Sequence, residues 1–496
     1  MKNSSESSRL PHSAKKSRFP LGILMVSVVI VTAVASLSWF SQHTVSDWKR
    51  YQGEMAARGE SLDWKDYIPP PPPPDAENFG ATPLLQSIGR KGKVDPTAWS
   101  RINGTGLTDQ LGKTGDWTTG QRAELKAIQD FLRGAGFPLP SLPREPAVDV
   151  LAVLEGLKPE FDELHQASQR AFAKLKLAYP APDSTDVPNF VALRTLSQLL
   201  SLRASAELSL GSTNEAFADV QVIHRLAELN RAEPFLVSAM IYCAIRFLAL
   251  QTFWEGWVSD QWSDQQLKEF QASFASVDMP AALDKAMRGE RAAVNTLVET
   301  LNGKQLAQSF AGTRAASGGS WKDELMHFSV QFSPRSLRTG NLLYYNRLLD
   351  RTIFNSYDLS RHRVFPGKSD AAAALIGKSL SQTTAQNYLA SSALPNFWRA
   401  LQTVARNQTF VSEALIVCAL ERYRRANGEY PATLTRLSPD FLENLPHDII
   451  TDETLKYRRT ANGGFLLYSV GWNERDDDGN PEKDKGDWVW PVAVKR

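Results

Sequence analysis

This sequence of 496 residues is poor in cysteine, with Cys243 and Cys418 as its only two thiols. Two cysteines cannot build the disulfide framework that stabilises many small secreted domains, and they cannot supply a four-cysteine zinc site. Both lie in apolar stretches with helical spacing, so we predict two buried thiols. A disulfide between them is the alternative, because the sequence does not show whether their α-carbons approach within bonding reach.

The motifs of common catalytic sites are also missing. The chain has no H-E-x-x-H, no G-x-S-x-G and no glycine fingerprint of a dinucleotide-binding fold. Gly-Lys-Ser occurs at 367–369 and 377–379, but His362 and Ala372 stand where the first glycine of a P-loop belongs, which excludes that nucleotide site. Carboxylates are plentiful, so a hydrolase with a carboxylate pair in a groove of the helical body stays open as a second class of function. The seven histidines, none at metal-ligand spacing, are His12, His43, His165, His224, His327, His362 and His447.

A strong excess of one charge is missing as well. Lysine and arginine number 56 against 54 aspartates and glutamates, which gives a formal net charge of +2. This balance argues against a nucleic-acid partner. With 42% hydrophobic and 10% aromatic residues, the chain can build large cores, and its length suggests two or three domains.

The sequence does contain one long uncharged apolar run, Phe19–Phe40. As a helix it would be about 33 Å long, enough to cross the hydrocarbon core of a bilayer. Residues 1–18 carry five basic side chains and one acidic side chain, so the positive-inside rule predicts a cytoplasmic N-terminal tail and an exported remainder. A cleaved signal peptide is the alternative, because residues 33–35, Ala-Val-Ala, have the form of a cleavage site.

Composition divides the remainder into three predicted parts. Residues 41–120 are a spacer and irregular segment, in which the six prolines of Pro69–Pro74 predict a semi-rigid polyproline II rod that holds the body off the membrane. A proline-rich ligand for an aromatic groove is the alternative. Residues 121–404 predict a large α-helical body, either an irregular bundle or a solenoid-like array. Residues 405–496 predict a small α+β domain with a β-meander.

Apolar stripes at helical spacing predict the helices of the body. The most apolar, Phe235–Trp257, is predicted to be a core helix and not a second membrane span, because Arg246 lies at its middle. We expect Arg246 to reach a carboxylate or a helix end. Another predicted helix begins near Leu125. The remaining predicted helices are Val148–Tyr179, Val187–Leu210, Asn214–Asn230, Asp264–Val277, Pro280–Leu301, Trp321–Phe332 and Gly340–Arg363. A flexible loop is predicted at Thr313–Ser320.

Three charges lie together in the middle of one predicted helix, at Arg288–Arg291. Such clusters are usually solvated faces or ion pairs, and a functional site is the alternative.

The segment around Gly211 predicts a helical hairpin. Residues 210–216, LGSTNEA, and the apolar positions after them look like one tetratricopeptide repeat over about 34 residues. That resemblance implies a stacked helical scaffold that binds other proteins, and a plain antiparallel hairpin is the alternative. Ser212 or Thr213 is placed to cap the second helix.

In the C-terminal part, a predicted helix at Phe410–Ala426 is followed by two strands about Asn462-Gly463, a strong hairpin signal. The order YRRANGEYPATLTRL, LKYRRTANGGFLLYSVGWNERDDDGN and GDWVW resembles the globular part of the major pseudopilins of type II secretion. That family implies a helix, a small sheet and an acidic loop that binds calcium. No prepilin leader precedes this helix, so only the local fold and the metal loop are carried over.

The resemblance directs attention to the acidic loop Asn473–Asp487. Calcium takes six to eight oxygen ligands, which a turn rich in Asp, Asn and carbonyl groups can supply. An EF-hand is excluded, because Gly479 at its sixth position would put Lys485 at the twelfth, where glutamate is needed. A solvated acidic loop is the alternative to a weak Ca²⁺ site. The expected side-chain ligands are Asp476, Asp477, Asp478 and Asp487.

The whole layout resembles single-anchor envelope proteins of bacteria. We therefore predict a mainly α protein, single-pass in the bacterial cytoplasmic membrane, with its N-terminus in the cytoplasm and its body outside. The predicted function is an extracytoplasmic scaffold or protein-binding protein, with a protein partner in the envelope and without nucleic acid or nucleotide.

Overall fold

The computed structural model describes residues 42–103, 116–306, 308, 331–381, 384, 387–394, 397–481 and 486–491. The chain is mainly helical, with 62% helix and 5% strand, which confirms the predicted class at that level. The predicted tail (1–18) and anchor (19–40) lie outside the described residues. So do the loop predicted at Thr313–Ser320 and nearly all of the helix predicted after it.

Most of the predicted helices are present. In chain order, the α-helices are α1 (42–57), α2 (Pro83–Ile88), α3 (Pro96–Asn103), α4 (Leu125–Gly134), α5 (Pro146–Leu154), α6 (Lys158–Ser168), α7 (Phe190–Ser209), α8 (Thr213–Arg231), α9 (Leu236–Val258), α10 (Asp264–Ala275), α11 (Met279–Thr300), α12 (Arg335–Arg351), α13 (Pro366–Leu380), α14 (Tyr388–Ala393) and α15 (Phe397–Asn427). Sequence reasoning missed α13 and α14 and the first turns of α15.

The apolar helix α9 packs against α7, α8, α11 and α15, as a helix that is apolar on all faces requires. Its Trp254 is buried and donates the indole N–H to the carbonyl oxygen of Pro491 at 2.8 Å. By length and composition, α9 is also the one helix of the described residues that could cross a membrane, and more than half of it is buried inside the chain. The burial of α9 among other helices agrees with the prediction that it is a core helix.

Arg246, in the middle of α9, reaches a carboxylate as predicted. It is buried, its guanidinium pairs with Glu228 of α8, and it donates to Nδ1 of His224 at 2.5 Å. The polar group that makes α9 costly as a membrane span therefore has partners inside the chain.

The predicted helix Val148–Tyr179 is too long. The structure has α5 and α6 there, and the chain is extended from residue 173 to residue 179. The Asn78 side chain accepts a bond from the backbone N–H of Lys174 at 2.9 Å and donates to its carbonyl oxygen at 3.0 Å. Gly80 lies so close that an added Cβ would stand 2.0 Å from that carbonyl oxygen. These contacts from a distant part of the chain override the local apolar spacing.

The predicted helix Gly340–Arg363 is also too long. It ends with α12 at Arg351, and the strands β1 (Tyr357–Asp358) and β2 (Arg363–Val364) follow as an antiparallel pair. His362 adopts a φ of 45°, a left-handed conformation that an α-helix does not contain.

Helices α7 and α8 form the predicted hairpin around Gly211, which has a φ of 79°. The predicted cap is wrong, because the side chain of Ser212 makes no capping bond to α8. Its hydroxyl bonds Glu207 on α7 instead.

The C-terminal part is a helix followed by a three-stranded meander. Helix α15 runs without a break through residue 405, where the sequence places the domain boundary, and that division stays a prediction. A φ of 79° at Gly463 confirms the predicted turn. The strands β3 (Lys456–Arg459), β4 (Phe465–Ser469) and β5 (Trp488–Val489) pair antiparallel in that order.

The two cysteines are buried, as predicted. Cys243 lies in α9 and Cys418 in α15, and both are free thiols.

The proline run does not separate the body from the chain that precedes it. Helix α1 lies before the prolines, and its Trp48, Tyr51 and Met55 are buried. Pro69 is buried too, and the prolines after it line a cavity together with the extended segment that ends at Tyr179. The predicted spacer is therefore wrong for these residues, because the apolar face of α1 finds its partners in α11 and α12.

Candidate functional site

A buried set of charged side chains joins the N-terminal segment to the centre of the body. Arg291 is fully buried and donates to Glu60 at 3.0 Å and to Asp350 at 3.3 Å. Arg288 donates to the same Glu60 oxygen at 2.5 Å and to Asp284 at 2.8 Å. The partners come from α11, α12 and the segment after α1. We call these residues the coupling network: Glu60, Asp284, Arg288, Arg291 and Asp350.

Aromatic side chains surround the coupling network. Tyr51 and Tyr357 donate their hydroxyl protons to its two aspartates at 2.7 and 2.5 Å. The ring of Phe354 lies 4.7 and 4.8 Å from its two guanidinium carbons, within the range of cation–π attraction. Tyr51 belongs to α1 and bonds Asp350 of α12. Glu60, just after α1, bonds the two arginines of α11. The network therefore fixes α1 at two separate points.

Two cations and three carboxylates set the electrostatics of the coupling network. Burial raises the pKa of Glu60, but the hydrogen bond from Arg291 and the charge of Arg288 outweigh it, so this pKa lies below its ordinary value. Burial raises the pKa of Asp350. Each member of the network is bonded to another member. The geometry therefore suits a structural connection between helices better than an open site for a ligand. For the Arg288–Arg291 cluster, the predicted ion pairs are confirmed and the predicted solvated face is wrong.

Glu290, between the two arginines, serves a different contact. Its carboxylate accepts a bond from the backbone N–H of Leu236 at 3.1 Å, at the start of α9, and burial raises its pKa. Gly289 allows this approach, because an added Cβ would stand 2.6 Å from Pro234. The four-residue cluster thus holds both α1 and α9 to α11.

A cavity of about 370 Å³ lies between the proline run and the extended segment that follows α6. Its apolar wall includes Pro69–Pro72, Leu175 and Leu177, and its polar wall includes Glu228 and Glu233. Concave sites with a mostly apolar lining and a few converging polar groups are where ligands and substrates bind. This cavity is the candidate binding site of the described chain.

The two carboxylates of the cavity have different environments. Burial raises the pKa of Glu233 to about 7, against the hydrogen bond that Tyr179 donates to it at 2.7 Å. Glu228 is paired with Arg246 and, at 3.3 Å, with Arg231. The Glu233 carboxyl therefore holds a proton available near neutral pH, while Glu228 is engaged in two ion pairs.

The predicted calcium loop is organised around Asp487. This residue is buried, and its carboxylate accepts bonds from the backbone N–H of Asp477 at 3.2 Å and of Gly479 at 2.6 Å. The Asp477 carboxylate in turn accepts a bond from the Asn473 side chain at 2.8 Å. Two of the four predicted ligands thus come together through the backbone of the loop.

The other two predicted ligands point to partners outside the loop. Asp476 accepts a bond from Tyr468 at 2.9 Å, which lowers its pKa, and Asp478 lies 3.8 Å from the guanidinium of Arg458. Among the described residues, no group of three or more potential ligands could hold a metal ion. Residues 482–485 of the loop lie outside that description, and the calcium site stays a prediction.

Sequence reasoning missed Glu60, Glu233 and Glu413. The first two lie outside any motif, and their only local signal is an acidic residue near a helix end, which is too common to select them. Glu413 is fully buried inside α15, neither of its oxygens meets a donor in the described chain, and burial raises its pKa well above the ordinary value. The apolar stripe of that helix marked the neighbours of Glu413 and not Glu413 itself.

No protein-family profile, curated protein or solved structure matches this chain. The resemblances to pseudopilins and to a tetratricopeptide repeat therefore stay predictions.

Proposed function

We propose that this protein is a membrane-anchored scaffold or binding protein of the bacterial envelope, with its body outside the cytoplasmic membrane. The coupling network carries the proposal. It holds α1, whose first described residue is 42, to the helical body, and the predicted anchor ends at Phe40. An anchor joined to a locked helix holds a body at a fixed height and orientation, as a scaffold that presents a surface to a partner requires.

Exposed apolar side chains supply positions at which contact with a partner can be probed. Leu142 is 80% exposed, Val191 64% and Val237 46%. Single exposed apolar residues are common on protein surfaces, so these positions serve as probes and do not by themselves define an interface.

Photo-crosslinking in living cells tests the scaffold. A benzophenone amino acid at Leu142, Val191 or Val237 is expected to give a discrete adduct at one position or more. The same probe in an Arg291→Met background, in which α1 is released, is expected to give less adduct because the body loses its fixed orientation. No adduct at any of the three positions, or one that Arg291→Met leaves unchanged, would contradict the proposal.

A second candidate function, an envelope hydrolase, is favoured by the cavity under the proline run. Glu233 would act as the general acid, since its pKa of about 7 keeps a proton available near neutral pH. Glu228, which pairs with Arg246 and Arg231, would act as the base.

The hydrolase is tested with fragments of envelope glycan and peptide incubated with the purified full-length chain. Turnover that Glu233→Gln abolishes and Glu269→Gln retains would establish the enzyme. Glu269 is a matched control, because it lies on the exposed side of α10 with Gln265 as its partner. The absence of turnover in the wild-type chain would leave the scaffold as the better proposal.

A further inference from the structure

We propose that one end of the helical body rests directly on anionic phospholipid headgroups of the membrane. The surface is formed by Lys304, Arg335 and Arg338, and we call it the basic rim. This inference rests on the proposed function, since it requires the anchor, and it adds a lipid contact that an anchor alone does not imply.

The orientation of three helices carries the inference. Helices α1 and α12 run side by side in the same direction. Near their starts, an added Cβ on Gly340 would lie 3.3 Å from the methyl group of Thr44, and near their ends Tyr51 bonds Asp350. The starts of α1 and α12 therefore lie at the same end of the body.

Helix α11 runs in the opposite direction and ends where α1 and α12 begin. Glu299, near its C-terminus, accepts the indole N–H of Trp48 at 2.8 Å. Arg338, in the first turns of α12, donates to the carbonyl oxygen of Leu301, the residue that follows α11. Lys304 comes shortly after this point, so the three basic residues share the end at which residue 42 lies.

Helix geometry sets the height of the basic rim. At about 1.5 Å per residue, Arg335 lies about 7.5 Å beyond the level of Thr44, whereas residue 42 lies only about 3 Å beyond it. Arg335 therefore lies farther than residue 42 toward the side of the body from which the predicted anchor joins it.

The charges at this end suit an anionic surface. Lys304 and Arg335 are exposed, and no carboxylate in the described part of the chain forms an ion pair with any of the three basic residues. Glu299, the acidic residue that precedes Lys304 in sequence, accepts from Trp48, and Asp47 of α1 pairs with Arg50. Burial and the charge of Arg335 lower the pKa of Arg338, which is the effect of like charges without a neutralising partner. Anionic headgroups would supply those partners.

Quenching in lipid nanodiscs tests the contact with the full-length chain. A fluorophore is attached at Ser336→Cys, beside Arg335, and at Leu142→Cys as a control on an exposed loop far along the chain from the rim. Both native thiols are buried and stay unlabelled in the folded protein. With a nitroxide on the lipid headgroups, the label at 336 is expected to be quenched at least twofold more than the label at 142. Equal quenching at the two positions, or none at 336, would overturn the inference.

Charge reversal tests whether anionic lipid is recognised. Adding Lys304→Glu and Arg335→Glu to the Ser336→Cys chain is expected to reduce quenching in phosphatidylglycerol-containing discs to the level in pure phosphatidylcholine. Lys126→Glu with Lys268→Glu makes the same change of charge on exposed faces elsewhere and is expected to have no effect. Quenching that is the same for both pairs and both lipids would overturn the anionic contact.

The result also separates the two proposals. A chain released from membranes by alkaline extraction has no anchor, and both proposals fail. A chain that is retained but whose label at 336 is not quenched refutes the basic rim alone.

Discussion

Replacing Arg291 by methionine is expected to release α1 from the body. The guanidinium of Arg291 is fully buried and bonds both Glu60 and Asp350. Methionine keeps much of the aliphatic volume and adapts to irregular space. The substitution therefore removes a charge and its bonds more than it removes packing.

The expected loss is about 3 kcal/mol. Removing one partner of a buried ion pair costs about 3 to 5 kcal/mol, because the other charge stays buried without compensation. The lower end applies here, since Glu60 keeps Arg288 and Asp350 keeps the hydroxyl of Tyr51. Protonation of Asp350, whose pKa is already raised by burial, limits the loss further.

Hydrogen exchange of the full-length chain in nanodiscs measures this loss. Amides of α1 are expected to exchange about 100-fold faster in Arg291→Met, because each 1.4 kcal/mol is about tenfold. The control is Arg50→Met, whose side chain is 63% exposed and paired on the surface of α1. Exposed pairs contribute about 1 kcal/mol or less, so the control is expected to change exchange less than about fivefold.

A double substitution separates lost charge from lost packing. Arg291→Met with Asp350→Asn removes both charges, keeps an acceptor for the hydroxyl of Tyr51, and is expected to recover part of the protection of α1. If α1 exchanges as slowly in Arg291→Met as in the wild-type chain, the coupling network does not hold it and the reasoning is refuted.

Four further predictions follow from the same structure. The folded chain binds more protons than the unfolded chain between the ordinary pKa of a glutamate, 4.5, and the pKa of about 7 of Glu233, so the contribution of Glu233 to stability falls by about 3 kcal/mol as pH rises through this window; urea unfolding at pH 5 and pH 8 should show a larger fall in wild-type than in Glu233→Gln, since buried groups such as Glu290 and Glu413 also have raised pKa values in both chains, and equal falls would contradict it. The mature chain is expected to begin before Phe19 and to stay with membranes after an alkaline wash, whereas an N-terminus at Ser36 would show a cleaved signal peptide. Millimolar calcium is expected to raise the melting temperature of the full chain relative to chelator, and an unchanged midpoint, or an equal shift in an Asp476→Ala, Asp478→Ala chain, would favour the solvated loop. A chain that begins at residue 42 is expected to stay soluble without detergent, because α9 is a core helix and not a membrane span. A chain that begins at Gln86 is expected to aggregate, because its core lacks Trp48, Tyr51 and Trp64.

Local pattern was sufficient for the helices whose own apolar stripe meets the core. The stripe that begins at Leu125 predicted α4, and the all-round apolar character of Phe235–Trp257 predicted a helix surrounded by others. The hairpin at Asn462-Gly463 was equally local, because a turn residue with positive φ fixes the register of the two strands beside it. In each case the residues that determine the structure lie within one turn or one strand of each other.

Local pattern failed where distant segments decide the backbone. Residues 173–179 have apolar spacing that suits a helix, but the carboxamide of Asn78 bonds the backbone of Lys174 in an extended form. The coupling network has the same origin. Glu60 and Arg291 are 231 positions apart, and each taken alone has the features of an ordinary surface charge. The charge cluster on α11 was visible, but its partners were not.

The proline run shows how this failure changes the functional argument. Six prolines in sequence predict a rod, and a rod between anchor and body would let the body stand off the membrane. The structure instead buries the helix that precedes the prolines and closes its junction with Arg288 and Arg291. Under the proposed function, the predicted anchor ends two positions before the first described residue of α1. Height and orientation then depend on the coupling network, which makes Arg291→Met a test of function as well as of stability.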